Sequence, residues 1–199
     1  MIRIVHKSET EMIDKVVVLH KKAFKGFFLS TMHSGFLRKM YLSFCEFKNA
    51  ELLVYVQDDE PVGFIAYSRD TSGIYSYMLW HHFFSFFWYS FLEFLEHPPV
   101  FKKMFSAVGM PKSSVRSEHY VKVFSIGVDP DCQQKGIGTE LINELKRRLD
   151  FSIYRYITLE TDADNNDGAN AFYLKNGFVL SKRFTTREGR RMNRYHYRK

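Results

Sequence analysis

Apolar residues recur along the chain with two periods, and both periods predict regular structure. Alternating or continuous apolar runs predict strands at 2–5, 51–56, 62–68, 123–128, 156–160, 178–183 and 191–197. Apolar residues three and four positions apart predict helices at about 8–24, 30–46, 74–97, 137–149 and 166–176. Strands and helices are interleaved along the chain, so the pattern predicts an α/β protein.

The stretch 123–149 combines a strand, a turn and a helix. Asp129-Pro130-Asp131 ends the strand, since proline cannot donate to a strand ladder and Asp favours turns. The free amides of the helix's first turn and its positive dipole end favour an anion. Gly136 and Gly138 let a phosphate approach the backbone, and Lys135 adds a positive charge. The alternative is a glycine-rich turn without a ligand; neither a dinucleotide fingerprint nor a P-loop is present.

Two sequence blocks carry a resemblance to a known family. Val128-Asp129-Pro130 followed by Gln133-x-x-Gly136-x-Gly138 resembles the acyl-CoA pyrophosphate loop of the GNAT N-acetyltransferase superfamily. The segment 166–178, NDGANAFYLKNGF, resembles the superfamily's Asn-x-x-Ala-x-x-Phe-Tyr-x-x-x-Gly-Phe pattern. The blocks occur in the expected order and cover about residues 120 to 180. The resemblance implies a GNAT-like fold, in which helices flank a central mixed, twisted sheet, and acetyl-CoA as the cofactor, with CoA as product.

The resemblance also implies which residues bind the cofactor. Strand residues would offer backbone groups to pantetheine and the thioester oxygen, and these are Ile126, Gly127 and Val128. The loop and first helical turn would hold the pyrophosphate, and these are Gln133, Gln134, Lys135, Gly136, Ile137, Gly138 and Thr139. The second block would contact the pantetheine arm through Asn166, Ala169, Phe172 and Tyr173. If the family pattern aligns with this sequence one residue earlier, Asn165 takes the place of Asn166 in contacting the pantetheine arm.

Acetyl transfer from a thioester to an amine requires proton transfers at both ends. By resemblance, Tyr173 is the acid that protonates the departing thiolate; the alternative is an aromatic side chain that only packs on the sheet. An alkylammonium must lose its proton before attack, because its pKa is about 10. Many relatives use a carboxylate on the fourth strand, but here Lys122 occupies that position. Among Glu118, His119 and Tyr120, we select Glu118 as the candidate base, against the alternative of a surface carboxylate.

Residues 71–117 depart from the family pattern and are interpreted as an insertion between the third and fourth strands. This region carries 11 aromatic residues between positions 75 and 94, and no Lys, Arg, Asp or Glu from 74 to 92. Two histidines and three serines, and the position between two strands of one sheet, disfavour a membrane span. We therefore expect a helical lid over the core, over the acceptor cleft or against a homodimer partner. The adjacent pair His81-His82 is a poor joint metal site, because neighbouring helix positions diverge by about 100°.

Composition and charge bear on the number of domains, on metal binding and on the possible partners. The length of 199 residues and the 45% apolar content predict a single domain over 1–199, with the insertion at about 71–117. Two cysteines far apart argue against disulfides and a zinc site, so no metal is expected. The formal charge of +7 is accounted for by residues 182–199, where no nucleic-acid motif accompanies the basic residues. The beginning of the sequence lacks a signal-peptide pattern, so we expect a cytoplasmic protein without membrane contact.

The sequence therefore predicts an acetyl-CoA-dependent N-acetyltransferase. Its expected acceptor is a primary amine of a small molecule, with an amino sugar as one candidate, because an aromatic insertion suits a bulky amphipathic acceptor. Two alternatives stay open: a protein N-acetyltransferase, and a non-catalytic acyl-CoA sensor or interaction module.

Overall fold

The computed structural model describes residues 1–96, 119–187 and 189–199. Within them, the strands are β1 Ile2–Ile4, β2 Ala50–Gln57, β3 Glu60–Ser68, β4 Tyr120–Val128, β5 Tyr156–Asp162, β6 Val179–Thr185 and β7 Arg191–Tyr197. The α-helices are α1 Thr10–Ala23, α2 Ser34–Glu46, α3 Thr71–Glu96, α4 Ile137–Arg147 and α5 Asp167–Lys175. Short 3-10 turns lie at Phe28–Thr31 and Pro130–Cys132.

These strands form one sheet in the order β1-β2-β3-β4-β5-β7-β6. Every neighbouring pair is antiparallel except β4 and β5, which run parallel. β7 therefore inserts between β5 and β6. Helices pack against both faces of this mixed sheet, which confirms the predicted fold class.

Alternation along the central strands divides the core between two faces. Phe64 and Ala66 of β3 lie on the face covered by α1, α2 and the start of α3, called here the first face. Ile65 and Tyr67 lie on the second face, which α4 and α5 cover. The apolar stripe predicted for α4 is buried on that second face. Each fully buried Leu or Ile side chain contributes about 1.5–3 kcal/mol relative to exposure.

A glycine in β3 allows α4 to pack closely on the sheet. A Cβ atom added at Gly63 would lie only 2.7 Å from Cγ2 of Ile137, the first residue of α4. The absent side chain thus lets the beginning of the helix rest on the strand next to β4. This contact places the amino-terminal turn of α4 at the end of β4.

The observed elements differ from the predicted ones in two places. The helix predicted at 30–46 is two elements, because α2 begins only at Ser34, where the His33 ring accepts a hydrogen bond from the Gly35 amide at 3.0 Å. The five-residue turn predicted between β2 and β3 is a two-residue turn, in which Asp58 and Asp59 have φ angles of 48° and 61°. Positive φ at both positions suits the right-handed twist of the strands. The part of the predicted insertion that follows α3, residues 97–117, lies outside the described residues.

Candidate functional site

Two parallel strands diverge at the centre of the sheet. β4 and β5 are in register at three pairs, Tyr120 with Tyr156, Val121 with Ile157, and Lys122 with Thr158. Beyond these pairs β4 continues to Val128 and β5 to Asp162 without pairing to each other. The result is a wedge-shaped gap whose narrow end lies at Lys122 and Thr158.

The backbone of β4 presents hydrogen-bonding groups to this gap. The Asp129 amide donates to the Val62 carbonyl at 2.9 Å, and Gly127 lies opposite Phe64 in the antiparallel β3–β4 ladder. Along a strand, the backbone N–H and C=O groups of successive residues point alternately to one neighbouring strand and to the other. Because those of Gly127 and the amide of Asp129 point to β3, those of Ile126 and Val128 point away from it. These groups face the gap and have no strand partner there.

A bulge in β4 lies next to the gap. Ala66 of β3 pairs with Ser125 and Tyr67 pairs with Val123, so Phe124 is the extra residue. A bulge redirects the side chains around it. Both Phe124 and Ser125 consequently contact first-face groups: the Phe124 ring lies 5.4 Å from the Tyr75 ring, and the Ser125 hydroxyl accepts from the Tyr41 hydroxyl at 3.3 Å.

The loop from β4 to α4 is an amide-rich turn. Gln134 and Gly136 have φ angles of 63° and 84°, and α4 begins immediately afterwards at Ile137. The first-turn amides of a helix have no partner within the helix and carry its positive dipole end. Nothing lies within 4 Å of a Cβ added at Gly136, so a ligand can approach the backbone there.

A lysine from α1 holds the beginning of this loop. Lys22 Nζ lies 2.7 Å from an Asp129 carboxylate oxygen and 2.6 Å from Asp131. The Asp129 carboxylate also accepts a hydrogen bond from the Asp131 amide at 2.9 Å. Hydrogen bonding to Lys22 lowers the pKa of Asp129. These contacts fix the turn where the chain leaves β4.

The two sequence blocks meet at Gly138 and Phe172. A Cβ atom at Gly138 would lie 3.1 Å from the Phe172 ring and 3.7 Å from Val128. The glycine therefore allows α5 to pack against the start of α4, beside the end of β4. Ala169, also on α5, packs against the same second-face core. Residues predicted from separate motifs thus line one region of the structure.

Tyr173 lies on the inner side of α5 and is buried, with only 8% of its surface exposed. Its ring packs against those of Phe172, Tyr195 and Phe178, with centroids 5.3, 5.7 and 6.0 Å away. Burial raises the pKa of Tyr173, so the phenol keeps its proton at neutral pH. The side chain is both a packing element and a neutral hydrogen-bond donor.

Asn166 precedes α5 at the open end of β5. Its side-chain amide donates to the Thr161 hydroxyl at 2.7 Å, and its backbone carbonyl accepts from the Asn170 side-chain amide at 2.7 Å. Asn165 has a φ angle of 52°, which Asn tolerates better than most residues. The preceding left-handed residue and the Thr161 contact fix the position of Asn166.

The structure brings a charged group to the gap that the sequence reasoning missed. On the first face, Glu160 of β5 lies 3.4 Å from Lys122 Nζ and 2.6 Å from Arg194 Nη2. Burial raises the pKa of Glu160, but the two cations outweigh burial and the net pKa is lowered. Beside it, Thr158 is only 6% exposed, and its hydroxyl has no partner among the described residues. Side chains alternate along β5, so Thr158 and Glu160 lie on the face opposite Ile157 and Leu159. This alternation was the sequence signal from which the face of Glu160 could have been predicted.

The candidate base Glu118 lies outside the described residues. Across the described ranges, no group of three or more His, Cys, Asp or Glu side chains could hold a metal ion. Within those same ranges, no helix has the length and apolar character needed to cross a membrane. Cys45 and Cys132 are both free thiols.

Comparison with known proteins gives a family match and many similar folds. Residues 22–178 match the model of the Acetyltransferase (GNAT) family. An N-acetyltransferase from Staphylococcus aureus Mu50 is similar at a TM-score of 0.63 and 14% identity, covering 100% of this chain and 97% of the other. Arabidopsis thaliana NAA60, solved with acetyl-CoA, is similar at 0.57 and 15% identity, with coverages of 100% and 97%. The ribosomal-protein-S18-alanine N-acetyltransferase of Escherichia coli is similar at 0.55 and 14%, with coverages of 100% and 92%. A search of curated proteins finds no match.

Proposed function

The chain belongs to the GNAT acetyltransferase family, whose cofactor is acetyl-CoA, and we propose that it acetylates a primary amine of a small-molecule acceptor. One observation carries the cofactor-binding part of this proposal. The gap between β4 and β5 opens beside the amide-rich first turn of α4, so one continuous region offers strand-like backbone groups and an anion site. This combination suits a ligand that carries both amides and phosphates.

The phosphate end of the cofactor is assigned to the loop. The first-turn amides of α4 stabilise an anion, and the glycines give it room to approach. Exposed Lys135, whose Nζ donates to the Asp131 backbone carbonyl at 3.3 Å, adds a positive charge at the same turn. The assigned residues are Gln133, Gln134, Lys135, Gly136, Ile137, Gly138 and Thr139.

The pantetheine arm is assigned to the gap itself. Backbone groups of Ile126 and Val128 have no strand partner on that side, so amides of the ligand can complete the ladder. Gly127 keeps the chain between them close to β3. Across the gap we assign contacts to Asn166, Ala169 and Phe172. When bound, the cofactor supplies an activated acetyl thioester.

Tyr173 is assigned as the proton donor to the leaving thiolate. Its raised pKa keeps it protonated, which a donor requires before the reaction. The same raised pKa makes the phenol a weak acid, so it stabilises the thiolate first by hydrogen bonding. Full proton transfer requires the bound thiolate to be the stronger base, so the phenol acts first as a hydrogen-bond donor to the sulfur.

The acceptor is assigned to the first face of the gap. Because α4 and its phosphate site lie on the second face, the amine would reach the thioester from the first face. The Glu160 carboxylate stays ionised there; Lys122 and Arg194 balance its charge, but its oxygens keep lone pairs that can accept hydrogen bonds from an ammonium group. We propose Glu118 as the base that removes the ammonium proton, since Lys122 is charged. The aromatic side chains of Tyr75 and Phe124 on this face suit an acceptor with an apolar body.

Calorimetric titration with acetyl-CoA and with CoA tests the cofactor half. We expect micromolar binding by the wild type and its loss in Gly138→Trp, where an indole fills the space between α4 and Phe172. Glu140→Trp is the matched control, because it places the same group on an exposed position of the same helix. Absence of binding by the wild type would contradict the proposal.

A thiol-release assay with a panel of amines tests the acceptor. The panel contains amino sugars, polyamines, aromatic amines and short peptides with free amino termini. Turnover of small amines with little turnover of peptides supports the proposal. The converse result identifies a protein acetyltransferase, which the similarity to the ribosomal-protein enzyme makes the main alternative. Cofactor binding without turnover of any amine indicates a sensor.

A further inference from the structure

One face of α3 is an exposed row of aromatic side chains. Trp80, Phe83, Phe84, Phe87 and Trp88 are between 53% and 85% exposed. At 100° per residue they lie within an arc of about 140°, so they form one continuous surface along the helix. We call these five residues the aromatic stripe. Soluble monomers rarely expose apolar patches of this kind.

The opposite side of α3 is already occupied by α2. The Phe86 ring packs 4.8 Å from Phe36, and the His82 ring lies 3.0 Å from the Glu46 carboxylate. Ile74 and Met78 are buried in the first-face core. The helix is thus held on the protein by one face, and the stripe points away from that contact.

The size of the stripe matches a protein interface. Aromatic side chains bury about 150–250 Å² each, so the exposed parts of these five residues amount to about 700 Å². A standard interface buries about 800 Å² per partner. Trp and Phe are also enriched at the centres of such interfaces, where charged residues are depleted.

The charge of α3 argues against an anionic lipid surface. The helix, Thr71–Glu96, contains no Lys or Arg, and its charged residues are Glu93 and Glu96. Helices that lie on membranes carry basic residues that attract acidic headgroups. The net negative charge of α3 therefore favours a protein partner.

The order of the aromatic residues favours a second copy of this chain. Trp80 and Trp88 lie four positions before and after Phe84, so the two ends of the stripe are equivalent about that residue, while Phe83 and Phe87 would face Ser85 and His81. When two identical helices cross antiparallel about a two-fold axis at Phe84, each Trp80 meets Trp88 of the other copy. A two-fold interface requires this kind of self-complementary surface.

We propose that the aromatic stripe is the interface of a homodimer, in which two α3 helices pack antiparallel about Phe84. The interface also touches the candidate site indirectly, because Tyr75 near the start of α3 packs on Phe124 of β4. Dimer formation would hold α3 against the first face of the gap.

Light scattering coupled to gel filtration tests the proposal. We expect a two-copy mass for the wild type and a one-copy mass for Phe84→Glu, since the variant would bury two like charges at the axis. Val18→Glu is the matched control and should stay dimeric, because Val18 is 69% exposed on α1, outside the stripe. Circular dichroism confirms that each variant is folded. A monomeric wild type, or a Phe84→Glu variant that stays dimeric, overturns the proposal.

Cysteine cross-linking tests the antiparallel arrangement. Under mild oxidation, Phe84→Cys should form a covalent dimer, while Trp80→Cys alone should not. Four helical residues rise about 6 Å, so the two Trp80→Cys positions would lie about 12 Å apart, beyond disulfide reach. A mixture of the Trp80→Cys and Trp88→Cys proteins should cross-link. Wild type oxidised in parallel gives the background from Cys45 and Cys132. Efficient cross-linking of Trp80→Cys alone contradicts the antiparallel crossing.

Sedimentation with vesicles distinguishes a lipid surface from a second copy. The vesicles contain phosphatidylcholine with or without phosphatidylserine. We expect the wild type to stay in the supernatant as a dimer. Co-sedimentation that Phe84→Glu abolishes, from a wild type that is monomeric without vesicles, would assign the stripe to lipid and overturn the proposal.

Discussion

His20 provides a sharp test of how burial controls this protein's stability. The imidazole is only 2% exposed on α1, and its Nδ1 lies 2.6 Å from the Tyr41 hydroxyl. Its Nε2 is buried without a partner among the described residues. Phe24 and Phe64 rings lie 4.7 and 6.2 Å away, so protonation would place a charge among apolar groups. Burial accordingly lowers the pKa of His20 to about 4, and the positive charge of Lys21 adds a smaller contribution.

The sign and size of the pH effect follow from this pKa. Above about pH 6.5 the imidazole is neutral in both the folded and the unfolded chain, so it contributes no pH dependence. Between about pH 6.5 and 4 the unfolded chain alone binds the proton. The free energy of unfolding then falls by up to about 1.4 kcal/mol per pH unit. The total loss approaches about 3 kcal/mol, and below pH 4 no further loss arises from this group.

Chemical denaturation of the wild type and His20→Phe isolates the effect. Other titrating groups affect both proteins, so their difference in unfolding free energy reports His20. Near pH 7.5 the variant lacks the hydrogen bond to Tyr41, but its ring stays apolar at every pH. We expect the wild type to lose about 2–3 kcal/mol relative to the variant between about pH 6.5 and 4.5. Parallel stability curves over that range would refute the assignment of a buried, neutral imidazole.

Two further predictions concern the proposed catalytic groups. Tyr173→Phe should lower kcat roughly 10²-fold and leave the calorimetric Kd for CoA nearly unchanged, because it removes a proton donor and keeps the packed ring; a variant with wild-type kcat would remove Tyr173 from the mechanism. Glu160→Gln should raise KM for the amine about tenfold in steady-state assays. The control Glu51→Gln disturbs a comparable ion cluster with Arg69 and Arg148 away from the gap, and it should leave the KM unchanged. An equal rise in KM for both variants would show a general loss of stability instead.

The local features of the fold were predictable because they depend on neighbours in the sequence. The period of α4 gave its buried stripe, and Pro130 marked the end of β4. The family pattern indicated that Gly138 and Phe172 belong to one region, and a Cβ atom added at Gly138 would indeed lie 3.1 Å from the Phe172 ring. These signals need no knowledge of strand order.

Features that depend on strand register could not be predicted. Glu160 meets Lys122 across 38 positions and Arg194 across 34, and this cluster exists only because β5 lies between β4 and β7. The alternation of apolar and polar side chains along a strand predicts which face of the sheet each side chain occupies. It does not predict which strand lies alongside. The bulge at Phe124 likewise follows from the pairing with β3 and leaves no local mark in the sequence. Its consequence, a hydroxyl of Ser125 next to Tyr41, was therefore missed.

The short β4–β5 ladder has a consequence for native-state dynamics. Three residue pairs join these strands, whereas eight join β2 to β3. The edge pairing of β1 with β2 is equally short, but among the described strands inside the sheet the β4–β5 seam is the shortest, so β5, β6 and β7 should separate from the remainder as a cooperative unit well below the free energy of global unfolding. A ligand that contacts both strands would clamp the seam, and at 100 times its Kd would raise the cost of opening by about 2.7 kcal/mol. Amides of Ile157 and Thr158 should then exchange with solvent deuterium roughly 10²-fold more slowly in the presence of acetyl-CoA.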